Sequence, residues 1–289
     1  FGKRICPRSW PRGSPPGSSR RVRKSTEAHW SRFWRERSEI EDVYPTEGRL
    51  VEQILAEGPV RGKRVLEVGA GSGRDSVTLA EAGAAAVILD YSTASLEVAR
   101  AVAERSNQRA LLLRADALNL PFRDGTFDVV FHQGLLEHFR DPMPLLRENV
   151  RVLRPSALLL VDVPQRFHLY TALKHILIAL GKWFAGWETE FTIGELTRCM
   201  RGAGVRVTRR YGSWMVPGLF YRSLRLALLK TRLARLPLYP PPVPILSPFL
   251  AWTRTVFART RLSFYTYFVI GALGRKEAAE PRASRGGTA

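Results

Sequence analysis

From Arg64 to Val163, apolar residues fall in short unbroken runs, separated by stretches in which they recur every three or four positions. The runs Arg64–Val68, Ala85–Leu89, Leu111–Arg114, Phe127–Phe131 and Ala157–Val163 read as strands. Continuous rather than alternating apolar character belongs to strands covered on both faces, as in a parallel sheet. Helices are predicted over Asp75–Ala82, from a Ser92 or Thr93 cap to about Arg105, and from Asp141-Pro142 to a stop before Pro155. Asp at the cap and Pro in the first turn suit the unsatisfied amides of a helix start. Regular strand–helix alternation predicts a doubly wound α/β sheet.

The alternation breaks after Pro164. His168–Trp187 is predicted as one amphipathic helix, with Leu169, Tyr170, Leu173, Ile176, Leu177, Leu180, Trp183, Phe184 and Trp187 on one side. Thr171, Lys174, His175 and Lys182 fall on the other, and Ile178 alone breaks the pattern. Thr192 and Glu195 form a capping-box signature for a helix stopping near Gly204. Val205–Arg209 is a sixth strand and Ser263–Leu273 a seventh. An Arg/Leu/Pro-rich insertion at 214–262 precedes that last strand, with a helix over Leu219–Leu236. Trp30, Phe33 and Trp34, in a segment helical in pieces, are docking aromatics.

Composition changes this picture in one respect. The 289 residues carry a formal charge of +19, and from Thr197 to Lys276 there is no Asp or Glu. Such an excess favours anionic surfaces, nucleic acid or acidic lipid; an arginine-rich genome accounts for it equally well. Two cysteines, Cys6 and Cys199, exclude a disulfide framework and make a reducing cytosol the default. No apolar run reaches the ~18–20 residues of a membrane span. Residues 1–25, rich in Pro, Gly, Ser and Arg, read as a disordered basic tail without the apolar stretch of a signal peptide.

The chemistry concentrates in Glu67-Val-Gly69-Ala70-Gly71-Ser-Gly73, between the first strand and first helix. Glycines there let a ligand approach the backbone, and the helix start offers free amides. A dinucleotide fingerprint G-x-G-x-x-G fails, because Arg74 and Ser76 stand where the third small residue is needed. The acid-x-G-x-G-x-G pattern instead resembles motif I of the class I S-adenosylmethionine-dependent methyltransferases. Asp90-Tyr91 after the second strand, Asp116-Ala117 after the third, and His132-Gln-Gly-Leu-Leu-Glu-His138 extend the resemblance to the methyltransferase type 11 group. Two positions depart from that group. Ser156-Ala157 replaces a Gly-Gly pair, and Gly134 stands where quinone-pathway relatives carry an acid, so no metal is assigned.

The resemblance implies a Rossmann-like methyltransferase fold of seven mostly parallel strands over 26–289, with a helical lid at 165–191 and the insertion at 214–262. It implies S-adenosylmethionine as cofactor, held by Glu67, Gly69, Ala70, Gly71, Gly73, Asp90, Tyr91, Asp116, Ala117 and Gln133. A carboxylate suits the ribose diol because it offers two acceptor oxygens. Methyl transfer chiefly needs alignment; a base helps where the nucleophile is a hydroxyl or protonated amine, and His138 and His132 are the candidates. The expected acceptor is a small or lipid-like molecule methylated at oxygen or carbon. The chain is expected to be cytoplasmic, with peripheral contact at the inner, acidic face of a membrane. Nucleic acid is disfavoured as substrate, because the segment after the fourth strand lacks the Pro-Pro-aromatic of base-directed relatives. A non-catalytic cofactor- or membrane-binding scaffold and a nicotinamide-dependent oxidoreductase remain as alternatives.

Overall fold

The computed structural model describes residues 26–35, 48–181, 183, 188–242, 244 and 246–278. The basic tail, Tyr44, and Phe184 and Trp187 of the expected lid lie outside them. Seven strands form one sheet: β1 (Arg64–Val68), β2 (Ala85–Asp90), β3 (Leu111–Arg114), β4 (Phe127–Gln133), β5 (Leu153–Pro164), β6 (Val205–Ser213) and β7 (Val269–Lys276). Their order is β3-β2-β1-β4-β5-β7-β6. β1 to β5 pair in parallel, and β7 runs antiparallel between β5 and β6. This is the doubly wound, mostly parallel architecture read from the sequence.

Nine α-helices are described: α1 (Glu27–Arg35), α2 (Arg49–Leu55), α3 (Arg74–Glu81), α4 (Thr93–Arg105), α5 (Met143–Val152), α6 (Leu169–Ala179), α7 (Ile193–Gly202), α8 (Leu219–Lys230) and α9 (Leu246–Ala258). The unbroken apolar runs have the expected cause. Successive residues of a strand point to opposite faces, and both faces are covered. Val65, Val129, Phe131, Leu158 and Leu160 pack with α2 and Leu79 of α3. Leu66, Val68, Val130, Leu159 and Val161 pack on the other face with α5 and α7.

Local signals hold where a side chain closes them. Ser92 caps α4 by accepting from the Ser95 amide, and Thr192 with Glu195 forms a complete capping box on α7. Several boundaries differ from the sequence reading, among them a β5 that starts at Leu153 and a β6 that runs on to Ser213. The last strand begins at Val269, because Arg261–Tyr265 is wound as a 3-10 turn around buried Ser263. The insertion holds two helices, and its first ends at Lys230 instead of Leu236. α6 ends at Ala179, well short of Trp187.

The orientation of α6 is the least expected feature. Its buried side chains are Thr171 and Lys174, while Leu169 is 72% exposed and Ile176 57%. Two internal contacts hold it this way round. Thr171 Oγ1 donates to the Gln165 carbonyl at 2.7 Å. Lys174 Nζ lies 2.8 Å from both Glu188 Oε2 and Glu190 Oε1. All three charged groups are nearly sealed from water, so removing the cation strands two carboxylates. Lys174→Met is therefore expected to destabilise the fold by about 3 kcal/mol, read as a lower urea midpoint. An unchanged midpoint would show that the ion pairs do not anchor α6.

Candidate active site

The chain leaves β1 toward β2 on one side and returns to β4 on the other, so a crevice opens where the carboxyl ends of β1 and β4 diverge. A cavity of about 430 Å3 occupies this crevice. Its walls are the glycine-rich turn, the ends of β2 and β4, the segment after β3, and the 3-10 turn Leu136–His138. Trp30, Phe33 and Trp34 of α1 form its roof. α1 is tied down by Arg114 to Glu27 at 2.6 Å and by Ser31 Oγ to Ser92 Oγ at 3.0 Å.

The turn can take its shape only as glycine. Gly71 has φ 57°, and a Cβ there would lie 2.5 Å from the Trp34 ring. Gly73 has φ 65°, and its Cβ would lie 2.9 Å from Ile88 Cδ1. Gly71 thus serves the cavity and its roof, while Gly73 serves the packing of α3 on β2 and does not line the cavity. Asp90, buried at the end of β2, locks the turn: Oδ2 accepts from Gly71 N at 3.1 Å and Oδ1 from Ser92 N at 2.9 Å. Two acceptor oxygens on one cavity-lining carboxylate suit a vicinal diol.

Glu67, Gly69, Ala70, Gly71, Asp90, Tyr91, Ala117, Gln133 and His138 all line the one cavity. Three expected site residues do not: Gly73, Asp116 and His132. Asp116 Oδ1 accepts from Leu118 N at 2.9 Å, shaping the turn whose neighbours Ala115 and Ala117 reach the cavity. His132 precedes Gln133 on β4, so strand alternation turns it to the opposite face. It is fully buried, and neither ring nitrogen has a hydrogen-bond partner among the described residues. Burial pushes its pKa down to about 3, so it stays neutral and is poorly suited to collect a proton.

The sequence reading did not single out Asp75 or Leu135, both of which line the cavity. Asp75 sits in the first turn of α3 beside Glu67, and an acid at a helix start is its only sequence signal. Burial, followed by the charge of Asp75, pushes the Glu67 pKa up to about 8. Burial and Asp162 push Asp75 up to about 6, against the opposing pull of Arg49. Nearby, Arg49 Nε donates to buried Asp162 Oδ2 at 2.7 Å. Glu137 is also buried, with its pKa pushed well up by burial and by the charge of Glu188, but it does not line the cavity. His138 does, with its ring 4.9 Å from that of Trp30. Among the described residues no group of three or more His, Cys, Asp or Glu is arranged to hold a metal ion.

These features fit S-adenosylmethionine. The cavity lies under the α1 aromatics, a buried carboxylate stands at the strand end, apolar and aromatic walls suit a nucleoside, and acidic groups suit a cation.

Comparison with known proteins agrees. Residues 66–161 match the family model described as a methyltransferase domain. A ubiquinone biosynthesis O-methyltransferase from Cereibacter sphaeroides is 30% identical over 176 residues, covering 56% of this chain and 71% of that protein. A demethylmenaquinone methyltransferase from Clavibacter sepedonicus is 38% identical over 106 residues; the match covers 37% of this chain and spans only 43% of that protein's length. A solved S-adenosylmethionine-dependent methyltransferase from Thermotoga maritima superposes with a TM-score of 0.58 at 20% identity, covering 86% of this chain and 99% of that one, which supports the fold. The chain belongs to the class I S-adenosylmethionine-dependent methyltransferases, in the type 11 group.

Proposed function

We propose that the protein transfers the methyl group of S-adenosylmethionine to oxygen or carbon of a lipid-like acceptor, which it meets at an acidic membrane surface. One observation carries the reading: Glu67, the Gly69–Gly71 turn, Asp90, Ala117 and Gln133 converge on a single roofed cavity at the switch point of the sheet. Asp90 would hold the ribose diol, and the amides and carbonyls of the turn would approach the rest of the cofactor. When bound, the cofactor supplies a methyl group activated by positive sulfur. Leu135, Phe139 and the α1 aromatics exclude water and narrow the approach, so alignment supplies most of the rate. His138 lines the cavity and is the better placed of the two histidines to take a proton from an acceptor hydroxyl.

Binding of the cofactor should appear as a saturable heat in calorimetry, and Asp90→Ala should weaken it about tenfold to a hundredfold, the value of hydrogen bonds to a charged group. No heat with the wild type would remove the activity.

The acid pair adds a pH signature. Both folded pKa values are raised, so the free protein gains stability as pH falls from about 8 toward the ordinary carboxylate range, and loses it as pH rises through about 6 and about 8. A cationic ligand favours the ionised acids and releases protons. Between pH 6 and pH 8 the binding enthalpy should therefore vary with the ionisation enthalpy of the buffer, and Glu67→Gln should flatten most of that dependence. Equal enthalpies in phosphate and Tris would contradict this linkage.

Two observations support the membrane part. Relatives act, by their names, in ubiquinone biosynthesis and on demethylmenaquinone. The outward sides of α6, α8 and α9 carry Leu169, Ile176, Phe220, Leu229, Phe249 and Trp252, all more than 40% exposed, and α8 and α9 lie in a stretch, Arg198 to Lys276, whose charged residues are all basic. No helix among the described residues is long and apolar enough to cross a membrane, which leaves contact at the interface. The protein should pellet with phosphatidylglycerol-containing vesicles at low salt and less at high salt, since each cation near acidic lipid adds about 1 kcal/mol. Absence of lipid-dependent pelleting at either salt would dismiss the membrane part and leave the cofactor reading intact.

A further inference from the structure

A second cavity, about 790 Å3 and open to the surface, is lined by the start of α6, the start of α8 and residues of α9. It shares no lining residue with the cofactor cavity. Leu169, Trp214, Met215, Leu219, Trp252 and Phe257 make its walls. Several polar groups of the lining are already engaged. Trp214 Nε1 donates to Thr266 Oγ1 at 3.0 Å, Thr253 Oγ1 donates to the Leu250 carbonyl at 2.9 Å, and Thr260 Oγ1 to the Phe257 carbonyl at 2.8 Å. The interior therefore offers a ligand dispersion and burial and little hydrogen bonding, which suits a hydrocarbon chain.

The rim specifies the other end of that ligand. Arg254 lines the opening, and no carboxylate occurs in this stretch of chain to neutralise it. Leu169, Trp252 and Val256 stand on the rim at 72%, 61% and 45% exposure, so the opening sits within the apolar surface formed by α6 and α9. A lipid lying against that surface presents a chain to the cleft and a headgroup to Arg254. We propose that the cleft takes one acyl chain of an anionic phospholipid from the bilayer on which the protein docks; the proposal rests on the membrane reading above.

Gly218 supplies the test. It lines the cleft with φ −63°, a conformation open to any residue, and an added Cβ would meet nothing within 4 Å. Gly218→Phe should fill the space without strain. Doxyl-labelled lysophosphatidylglycerol, below its micelle concentration, should quench the fluorescence of Trp214 and Trp252 saturably in the full chain. Gly218→Phe should weaken that binding at least tenfold while leaving calorimetric binding of S-adenosylmethionine unchanged. Val256→Glu, on the exposed rim, is the second variant should the first not fold, and it should weaken binding by repelling the headgroup. Absent quenching, equal quenching in both variants, or equal affinity for labelled lysophosphatidylcholine would overturn the proposal. Displacement by an uncharged prenol would also overturn it, by assigning the cleft to an acceptor tail. Cofactor calorimetry and vesicle pelleting are separate readouts, so failure of the proposed activity leaves the lysolipid titration interpretable.

Discussion

The site depends on one joint, the carboxylate of Asp90 gripping the glycine-rich turn. Its two oxygens take the amides of Gly71 and Ser92, and Ser95 Oγ returns a bond to the Gly71 carbonyl at 2.7 Å. A side chain at Gly71 would strike the roof, and one at Gly73 would strike β2. The joint thus sets three things together: the floor of the cavity, the start of α4 through Ser92, and the seat on which Trp34 rests. It also fixes the crevice at the point where the strand order reverses, which is where an open α/β sheet can admit a ligand.

This joint was legible in the sequence because its parts are local. Glycines at fixed spacing and acids at strand ends need no tertiary information to be recognised. What failed was direction. Helical periodicity identified the apolar side of α6 without saying which side faces inward, and that choice is made by Gln165, Glu188 and Glu190, which lie outside the helix. Gln133 was expected beside the cofactor and His132 as a candidate base, yet a strand sends neighbours to opposite faces and only Gln133 reaches the cavity. The last strand was begun too early because Phe264 and Tyr265 look like strand residues, although they belong to a 3-10 turn. α9 was missed because the prolines before it and in its first turn, and its mixture of Thr, Trp and Phe, obscure any single face.

The buried acids separate by what neutralises them. Asp162 has Arg49, and Glu188 and Glu190 have Lys174, so these groups hold elements together. Glu67 makes no ion pair among the described residues, and the Ser76 amide is its hydrogen-bond partner at 3.2 Å. Its proton is retained because burial without a cation penalises charge. A carboxyl group kept neutral on a cavity wall costs the free protein little near neutral pH, and it becomes an asset when a cation arrives. The same residue type thus serves architecture where a cation pairs it, and lines the cavity uncharged where none does.

The two ends of the proposed activity meet at the same edge of the sheet. β4 and β5 end side by side, with Gln133 paired to Asp162, and the chain passes from Pro164 directly into the turn that starts α6. The cofactor cavity takes its wall from the end of β4, while the apolar outer side of α6 begins just past the end of β5. Exposing that side to water is unfavourable by roughly 25 cal/mol for each Å2 of apolar surface, and the Lys174 anchor prevents the helix from rolling to hide it. An apolar phase lying against α6 relieves this cost without any rearrangement of the fold. Under the proposed reading, an acceptor dissolved in that phase would travel only from the neighbouring strand end to reach the methyl donor, a short path for a molecule that water does not carry.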